Sequence, residues 1–433
     1  VLKKFGPAFI KSLLSRGTHY LLLENIIRMA VGLITAGIVF RLLPVETVSS
    51  WGVITSWVII FSTFASAGAD TIFVSVVNAE HEVVAERFSQ LVLVRLIASI
   101  LSAGISIVGA FIAYSDPQTR FGIIVLSLAW IPQSLYLMEY FFQGKGQIRK
   151  LTTIRLSVLL MSFAAKVAVV LIYKSLYLFI LVTLFETVIG AGIYLFFAKK
   201  SDILSLFKHL DLKKLFVLFK SQTLFLMLST LFMNINYRMD QLLLQKISDA
   251  KSVAGYFAVV RLFEVLSILP FIISNAHTKS MSESLLKGPE EFENSMRHLT
   301  RDLMLISCVI VGGTALFGWP AIRILFGEKY TDFFPVLVVL SCSLFFTSLS
   351  LVKGWYMTLT GKFRENMLTS LVGALTNIVF NLLLISKLGI WGCVISSIVS
   401  YAVYGYFSAY MFESLTPYLR IVRSAFNFKK GKP

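Results

Sequence analysis

Apolar stretches of about 20 residues, the length of helix that crosses a hydrocarbon core of about 30 Å, recur along this chain between short polar intervals. Twelve such spans are predicted, at residues 19–42, 51–77, 89–114, 121–143, 152–173, 176–198, 214–243, 252–275, 300–318, 333–357, 367–386 and 390–412. The expected fold is all-α: a polytopic membrane protein of twelve transmembrane helices. The longest polar interval in the middle, 199–214, separates the sixth span from the seventh. It divides the chain into two six-helix lobes, 1–205 and 206–433, and leaves no soluble domain long enough to fold separately.

The pattern is broken most visibly over residues 234–270, where two apolar segments meet at a polar turn around Ser248–Ser252. Arg238 and Asp240 stand in the first segment, Arg261 and Glu264 in the second. Charge at membrane depth is expensive, so such groups face a partner or a water-filled cavity and mark a pathway. Helical spacing puts Asn234 and Arg238 on one face, Asn236 and Asp240 on another, and makes Arg261 and Glu264 neighbours.

Composition agrees with a membrane chain. Of 433 residues, 57% are hydrophobic and 15% charged, against about a quarter charged in a soluble domain. The 40 Lys and Arg outnumber the 23 Asp and Glu, for a net charge of +17. A nucleic-acid partner is one reading of that excess, but its distribution points to topology. With a cytoplasmic N-terminus, with 145–155 and 199–220 counted as inner loops and with Arg41 and Arg301 counted in the loops they adjoin, 26 Lys and Arg fall in inner segments, 8 in outer ones and 6 within the spans. That bias predicts both termini in the cytoplasm, and the basic inner loops suit an anionic leaflet of membrane lipids. One inner loop, 80–87, is acidic and runs against the trend.

The halves also resemble each other. Residues 48–52 (VSSWG) open the second span and 253–256 (VAGY) the eighth; Gly144-Lys145 follows the fourth span and Gly361-Lys362 the tenth. Six spans per half make this a parallel repeat, and transporters built on repeats place their site between the halves.

Other span charges have quieter readings. Glu24 and Arg28, four apart, read as an intrahelical pair as readily as a functional one. Asp70 closes the second span, close enough to the interface to be solvated. Arg95, Glu139 and Glu186 are expected to pair within a lobe. Lys166 has no acid at helical spacing, so it is expected to face a cavity or snorkel, and Lys353 has no local partner either. Asn377 and Asn381 share a face and fit interhelical hydrogen bonding. Should several of the six span cations (Arg28, Arg95, Lys166, Arg238, Arg261, Lys353) line one cavity, it would attract an anion such as phosphate or diphosphate, and spare acids could carry a coupled proton.

Catalytic, metal and cofactor motifs are missing. His81-Glu82 opens HEVVA without the second zinc histidine, and there is neither a phosphate-binding glycine loop nor a nucleophile elbow. Cys308, Cys342 and Cys393 are far apart in apolar runs and read as small filler. The basic, amphipathic N-terminal segment does not read as a cleaved signal.

Four patches together resemble a known family. They are Glu24-x-x-x-Arg28 with Trp51-Gly52; Asn236-x-Arg238-x-Asp240 with Gly255-Tyr256 and Arg261-Leu262; Leu325-Phe326-Gly327-x-x-Tyr330; and Asn377 and Asn381 followed by Gly389-x-x-Gly392. In this order they resemble the polysaccharide flippases for O-antigen and capsule repeat units. That family shares its superfamily with the lipid II flippases and the multidrug/toxin exporters, and its twelve-span count matches this chain better than the fourteen of the lipid II branch. One departure stands at the end of the eighth span, where His277-Thr278-Lys279 replaces an expected proline.

The resemblance implies a flippase of the bacterial inner membrane, moving an undecaprenyl-diphosphate-linked oligosaccharide by alternating access for O-antigen, lipopolysaccharide, capsule or exopolysaccharide synthesis. It implies no enzymatic activity and no cofactor. Anion contact would fall to Arg28, Lys166, Arg238 and Arg261. Glu24, Asp70, Asp240 and Glu264 would orient them or couple transport to protons or sodium, with Asn234, Asn377 and Asn381 as polar helix contacts. A multidrug exporter of the same fold would prefer an acidic cavity for cationic drugs. A membrane-embedded glycan polymerase or ligase would need a larger outer loop than 319–332.

Overall fold

The computed structural model describes residues 18–66, 81–139, 148–200 and 221–426, which are helical almost throughout, with no strand among them. The chain divides into two compact units, one within Leu13–Leu231 and the other within Phe232–Pro433. The boundary expected at 205/206 lies outside the described residues, as do Asp70 and Gly144-Lys145.

The first unit holds α1 (Thr18–Leu42), α2 (Val45–Ser66), α3 (His81–Ala113), α4 (Pro117–Leu128), α5 (Ile148–Ile172), α6 (Leu176–Lys200) and the start of α7 (Ser221–Ile247). Asp116 caps α4, accepting from the backbone N–H of Gln118 and Thr119, and Pro117 fits the first helical position because its missing N–H has no partner to lose. Beyond Leu128 the helix becomes irregular, passing through Trp130–Gln133 into a 3₁₀ turn, Ser134–Leu137. Pro132 lies in this stretch and supplies no N–H for the next helical bond.

In this unit α3 packs on α2 and α4, and α5 on α1 and α6. Small hydroxyls make the joints. Trp57 Nε1 donates to Ser106 Oγ at 3.0 Å, Ser106 and Ser127 share a bond at 2.8 Å, and Ser102 donates to the Phe61 carbonyl at 2.7 Å. Serines allow close helix approach and replace the hydrophobic drive that lipid cannot supply. Large apolar side chains point outward instead: Ile112 is 84% exposed and Met161 68%. That inversion suits a lipid-facing surface.

The second unit continues with α8 (Ala250–Ala276), α9 (Thr278–Lys287), α10 (Pro289–Phe326), α11 (Phe334–Ser341), α12 (Leu344–Leu359), α13 (Phe363–Leu388), α14 (Ile390–Gly405) and α15 (Thr416–Ala425). Its core gathers Met296, Leu303, Val352, Tyr356 and Tyr418 from α10, α12 and α15. The Tyr418 hydroxyl donates to the Gly405 carbonyl at 2.6 Å, satisfying the end of α14. The end of α8, where proline was expected, is closed by His277: its Nδ1 sits 2.9 Å from the Ile273 carbonyl, and α9 starts at the next residue.

A helix stands at each of the twelve expected spans, but fewer meet the requirement of length and hydropathy. Eight described helices do, and the bent pair Glu328–Ser341 and Leu344–Leu359, which turns by 42°, makes nine. Ile390–Gly405 is apolar but shorter. The helix at the seventh span, α7, is not among the eight: Asn234, Asn236, Arg238, Asp240 and Gln241 dilute its apolar run. The ninth is longer than 300–318 suggested. At 38 residues α10 extends for about 57 Å, so its acidic and basic first turns lie beyond the apolar core.

Candidate functional site

Among the described residues, each unit holds a cluster of ion pairs within its apolar packing. In the first unit, Glu24 on α1 is buried and takes Arg28 at 2.9 Å on one oxygen and Arg155 of α5 on the other. Arg155 also pairs with Glu139, and Tyr194 donates to Glu139 at 3.4 Å. Arg155, counted with the basic inner loop at the edge of the fifth span, lies two turns into a helix, because α5 starts at Ile148. Lys166 is no lone cation. Its ammonium lies 2.7 Å from Glu186 on the neighbouring helix α6. Spacing along one helix could not show that acid, because it is twenty residues away across a hairpin.

Arg28, Arg155 and Glu186 line a cavity of about 60 Å³ with Tyr136 and Tyr194. Such a space holds a few waters at most. The six groups named in this unit are three cations and three carboxylates, so the cluster carries no excess of either sign.

In the second unit the hairpin α7–α8 builds a different arrangement. At about 1.5 Å rise per residue, Arg238 lies about 14 Å back from the end of α7 and Glu264 about 21 Å beyond the start of α8, near one depth. Arg238 pairs with Glu264, whose other oxygen takes Arg261 at 2.9 Å. Arg261 lies over the Phe257 ring at 5.6 Å, and its Nε is buried without a hydrogen-bond partner among the described residues. Two guanidiniums therefore share one carboxylate, leaving a net positive charge.

Arg238 and Glu264 line a cavity of about 370 Å³, walled by Asn234, Tyr237, Phe263 and Tyr401. Phe263 and Tyr401 stack with ring centroids 6.4 Å apart, and Tyr237 meets Tyr401 edge-on at 5.2 Å. A volume of this order, mostly apolar with a few convergent polar groups, is that of a small-molecule site. Pro270 also borders it; a proline inside α8 leaves one helical carbonyl without its backbone donor.

Asp240 belongs to a separate network. Two residues on from Arg238, it points about 200° round the helix and away from the cavity. There it is buried, accepting from Tyr256 and from Ser397 at 3.2 Å. Asn377 donates to Ser400 at 3.3 Å and Asn381 to Asn377 at 2.9 Å, joining α13 to α14. Lys353, fully buried on α12, donates to the Tyr404 carbonyl and to Ser408 at 3.3 Å. It stands 4.1 Å from the Tyr404 ring centre and serves the end of α14 rather than a cavity.

The structure thus brings Asn234, Arg238, Arg261 and Glu264 together, and gathers Glu24 and Arg28 with Arg155. It sets Asp240, Asn377 and Asn381 in hydrogen-bonded helix joints. Spacing along the chain does not mark Tyr256 and Ser397 as the partners of Asp240. The first carried a signal in the Gly255-Tyr256 patch; the second, one of many serines, carried none. No metal-holding group of three or more His, Cys, Asp or Glu occurs among the described residues.

A family model described as polysaccharide biosynthesis protein matches residues 14–277. An uncharacterized membrane protein of Methanocaldococcus jannaschii is 29% identical over 182 residues, 40% of this chain and 34% of that relative. The chain therefore aligns with only about a third of that relative's length. Among solved structures, a multidrug resistance MATE family transporter of the MOP superfamily, inward-facing, is similar at a TM-score of 0.73 and 13% identity, covering 93% of this chain and 96% of that one. The lipid II flippase MurJ, in an inward closed conformation, is similar at 0.70 and 12%, covering 93% and 90%. At such identities the likeness is one of fold.

Proposed function

The chain belongs to the polysaccharide biosynthesis protein family, in the MOP superfamily of membrane flippases and transporters, and from that premise we propose that it flips an undecaprenyl-diphosphate-linked oligosaccharide across the bacterial inner membrane by alternating access. The observation that carries this reading is the cavity of about 370 Å³ bordered by Arg238 and Glu264, with Arg261 on the same carboxylate. Paired guanidiniums match the oxygens of a diphosphate, and aromatic walls suit sugar rings. The prenyl tail stays in lipid. Arg28 and Lys166 serve the first unit, where the three named cations are matched by three carboxylates, whereas Arg238 and Arg261 share one, so the anion role falls first to Arg238 and Arg261.

Both termini lie in the cytoplasm in this reading, and the chain moves its substrate without chemical change. Energy enters through protons or sodium. Asp240, buried among hydroxyls, and Glu264, shared by two cations, are the groups through which an ion would act; Glu24 is the corresponding acid of the first unit. Surface-polysaccharide assembly tests the site. Arg238→Ala and Arg261→Ala, inserted at normal levels, are each expected to lower it at least tenfold, the loss of about 1.4 kcal/mol or more of anion binding. Full assembly by both variants would sink the assignment.

A further inference from the structure

We propose that Glu264 is an internal stand-in for the substrate's anion: its carboxylate occupies the seat between Arg238 and Arg261 that the ligand's phosphate oxygens take, and binding proceeds by displacing it. The inference rests on the anion-site reading above and adds a residue that sets which anions load.

Each oxygen of Glu264 takes a different arginine, Arg238 from α7 and Arg261 from its own helix at 2.9 Å. A phosphate bridging the same guanidiniums would use its oxygens in the same way. Arg238 and Glu264 form part of the wall of the 370 Å³ cavity, so an incoming ligand meets the pair directly. The Glu264 side chain is 28% exposed and Arg261's 33%, whereas Arg238's is 11%. The carboxylate and Arg261 therefore have room to move while Arg238 stays fixed. Arg261 also has a buried Nε without a partner, a spare donor that a ligand with more oxygens than a carboxylate could fill.

Charge decides the selectivity. Two cations on one monoanion leave one positive charge unmatched. A ligand of single charge that displaces Glu264 gains nothing over the carboxylate it replaces. A ligand of two or more negative charges neutralises both arginines and frees Glu264 to reach water. The first unit shows the contrast: Glu24 is also shared by two arginines, but it is buried beside a cavity of only about 60 Å³, too small for a phosphate ester to enter. The stand-in role belongs to Glu264 alone of the two.

The test is calorimetric binding of inorganic pyrophosphate and of orthophosphate to the purified full chain in nanodiscs. Glu264→Gln removes the competing charge and is expected to bind pyrophosphate about tenfold tighter than the unaltered chain, with a smaller gain for orthophosphate. Glu264→Asp keeps the charge, and with it the fold, but is too short to bridge both arginines. It is expected to gain in the same direction by a few-fold, and it decides the matter should the glutamine variant fail to fold. Unaltered or weaker pyrophosphate binding in the variants that fold, while Arg238→Ala abolishes binding in the parent, would overturn the stand-in and leave the anion site standing. Absence of pyrophosphate binding in the parent and every variant would overturn both.

Discussion

Glu264 and Lys353 show two ways in which charge persists at membrane depth. Glu264 has both oxygens occupied by arginines. Lys353 has no carboxylate among its described contacts and rests on the Tyr404 carbonyl, a hydroxyl and an aromatic face. A cation held this way closes a helix end through its donors, and shape matters as much as charge. Lys353→Met, similar in length, should leave thermal unfolding in detergent nearly unchanged, because a well-packed apolar residue replaces a buried ion without loss. Lys353→Ala should lower stability by about 2–4 kcal/mol, the cost of the cavity it leaves. At the turn between α7 and α8, Asp249 acts outside the membrane. The Ser252 hydroxyl and the N–H groups of Ser252 and Lys251 hold its carboxyl below the usual value. Its cap is then fully present above the ordinary pKa of about 4 and is lost as pH falls through the lowered value. Amide protection in the first turn of α8 should fall in that acid window, and Asp249→Ala should remove about 1 kcal/mol and the pH dependence with it.

Glycines fix how the helices approach and turn. A side chain on Gly255 of α8 would enter the Phe333 ring, so the helix lies flat against the 3₁₀ turn before α11. Gly255→Ala should destabilise the second unit by about 1–3 kcal/mol through overpacking, and Phe333→Leu should restore part of the loss when combined with it. Unfolding of the two single variants and the double variant measures the coupling. Gly389, with φ of +55°, ends α13 and lets α14 begin one residue later, a conformation that L side chains resist. Both glycines stood in the patches that carry the family resemblance. Their value there is steric, since neither supplies a donor or acceptor to the cavity.

For the molecule as a whole, the bias of Lys and Arg predicts which loops face which side. In a chain with Cys308, Cys342 and Cys393 replaced by alanine, a cysteine at Lys174 should react with an impermeant maleimide in intact cells. A cysteine at Lys287 should react only after permeabilisation; both lysines are exposed in loops or helix ends. Labelling of the two sites in the opposite order would invert the topology. The inside-out distribution of side chains belongs to the same scale. Leu316 and Ile324 of α10 are exposed, while Ser307 and Thr314 on the same helix are buried, each donating to a backbone carbonyl.

Hydropathy, helix period and the Lys/Arg bias are properties of neighbours along the chain. They determined the all-helical membrane class, the place of the long apolar helices and the two faces of α7, one with Asn234 and Arg238 and the other with Asp240; α9 and α15, outside the predicted spans, were not legible. The four patches in order also pointed to the family. Only the tertiary structure decided which charges meet. Lys166 found Glu186 across a hairpin, Arg155 tied α1 to Glu139, and Asp240 closed on Tyr256 and Ser397. An ion pair in a low dielectric depends on distances of a few ångströms between different helices, and no spacing within one helix encodes them. The same limit applies to the cavity. Arg238, Arg261 and Glu264 stood in the sequence among four charges at odds with a membrane span, but the sharing of one carboxylate by two arginines, and hence the unmatched positive charge, arises only where α7 and α8 pack.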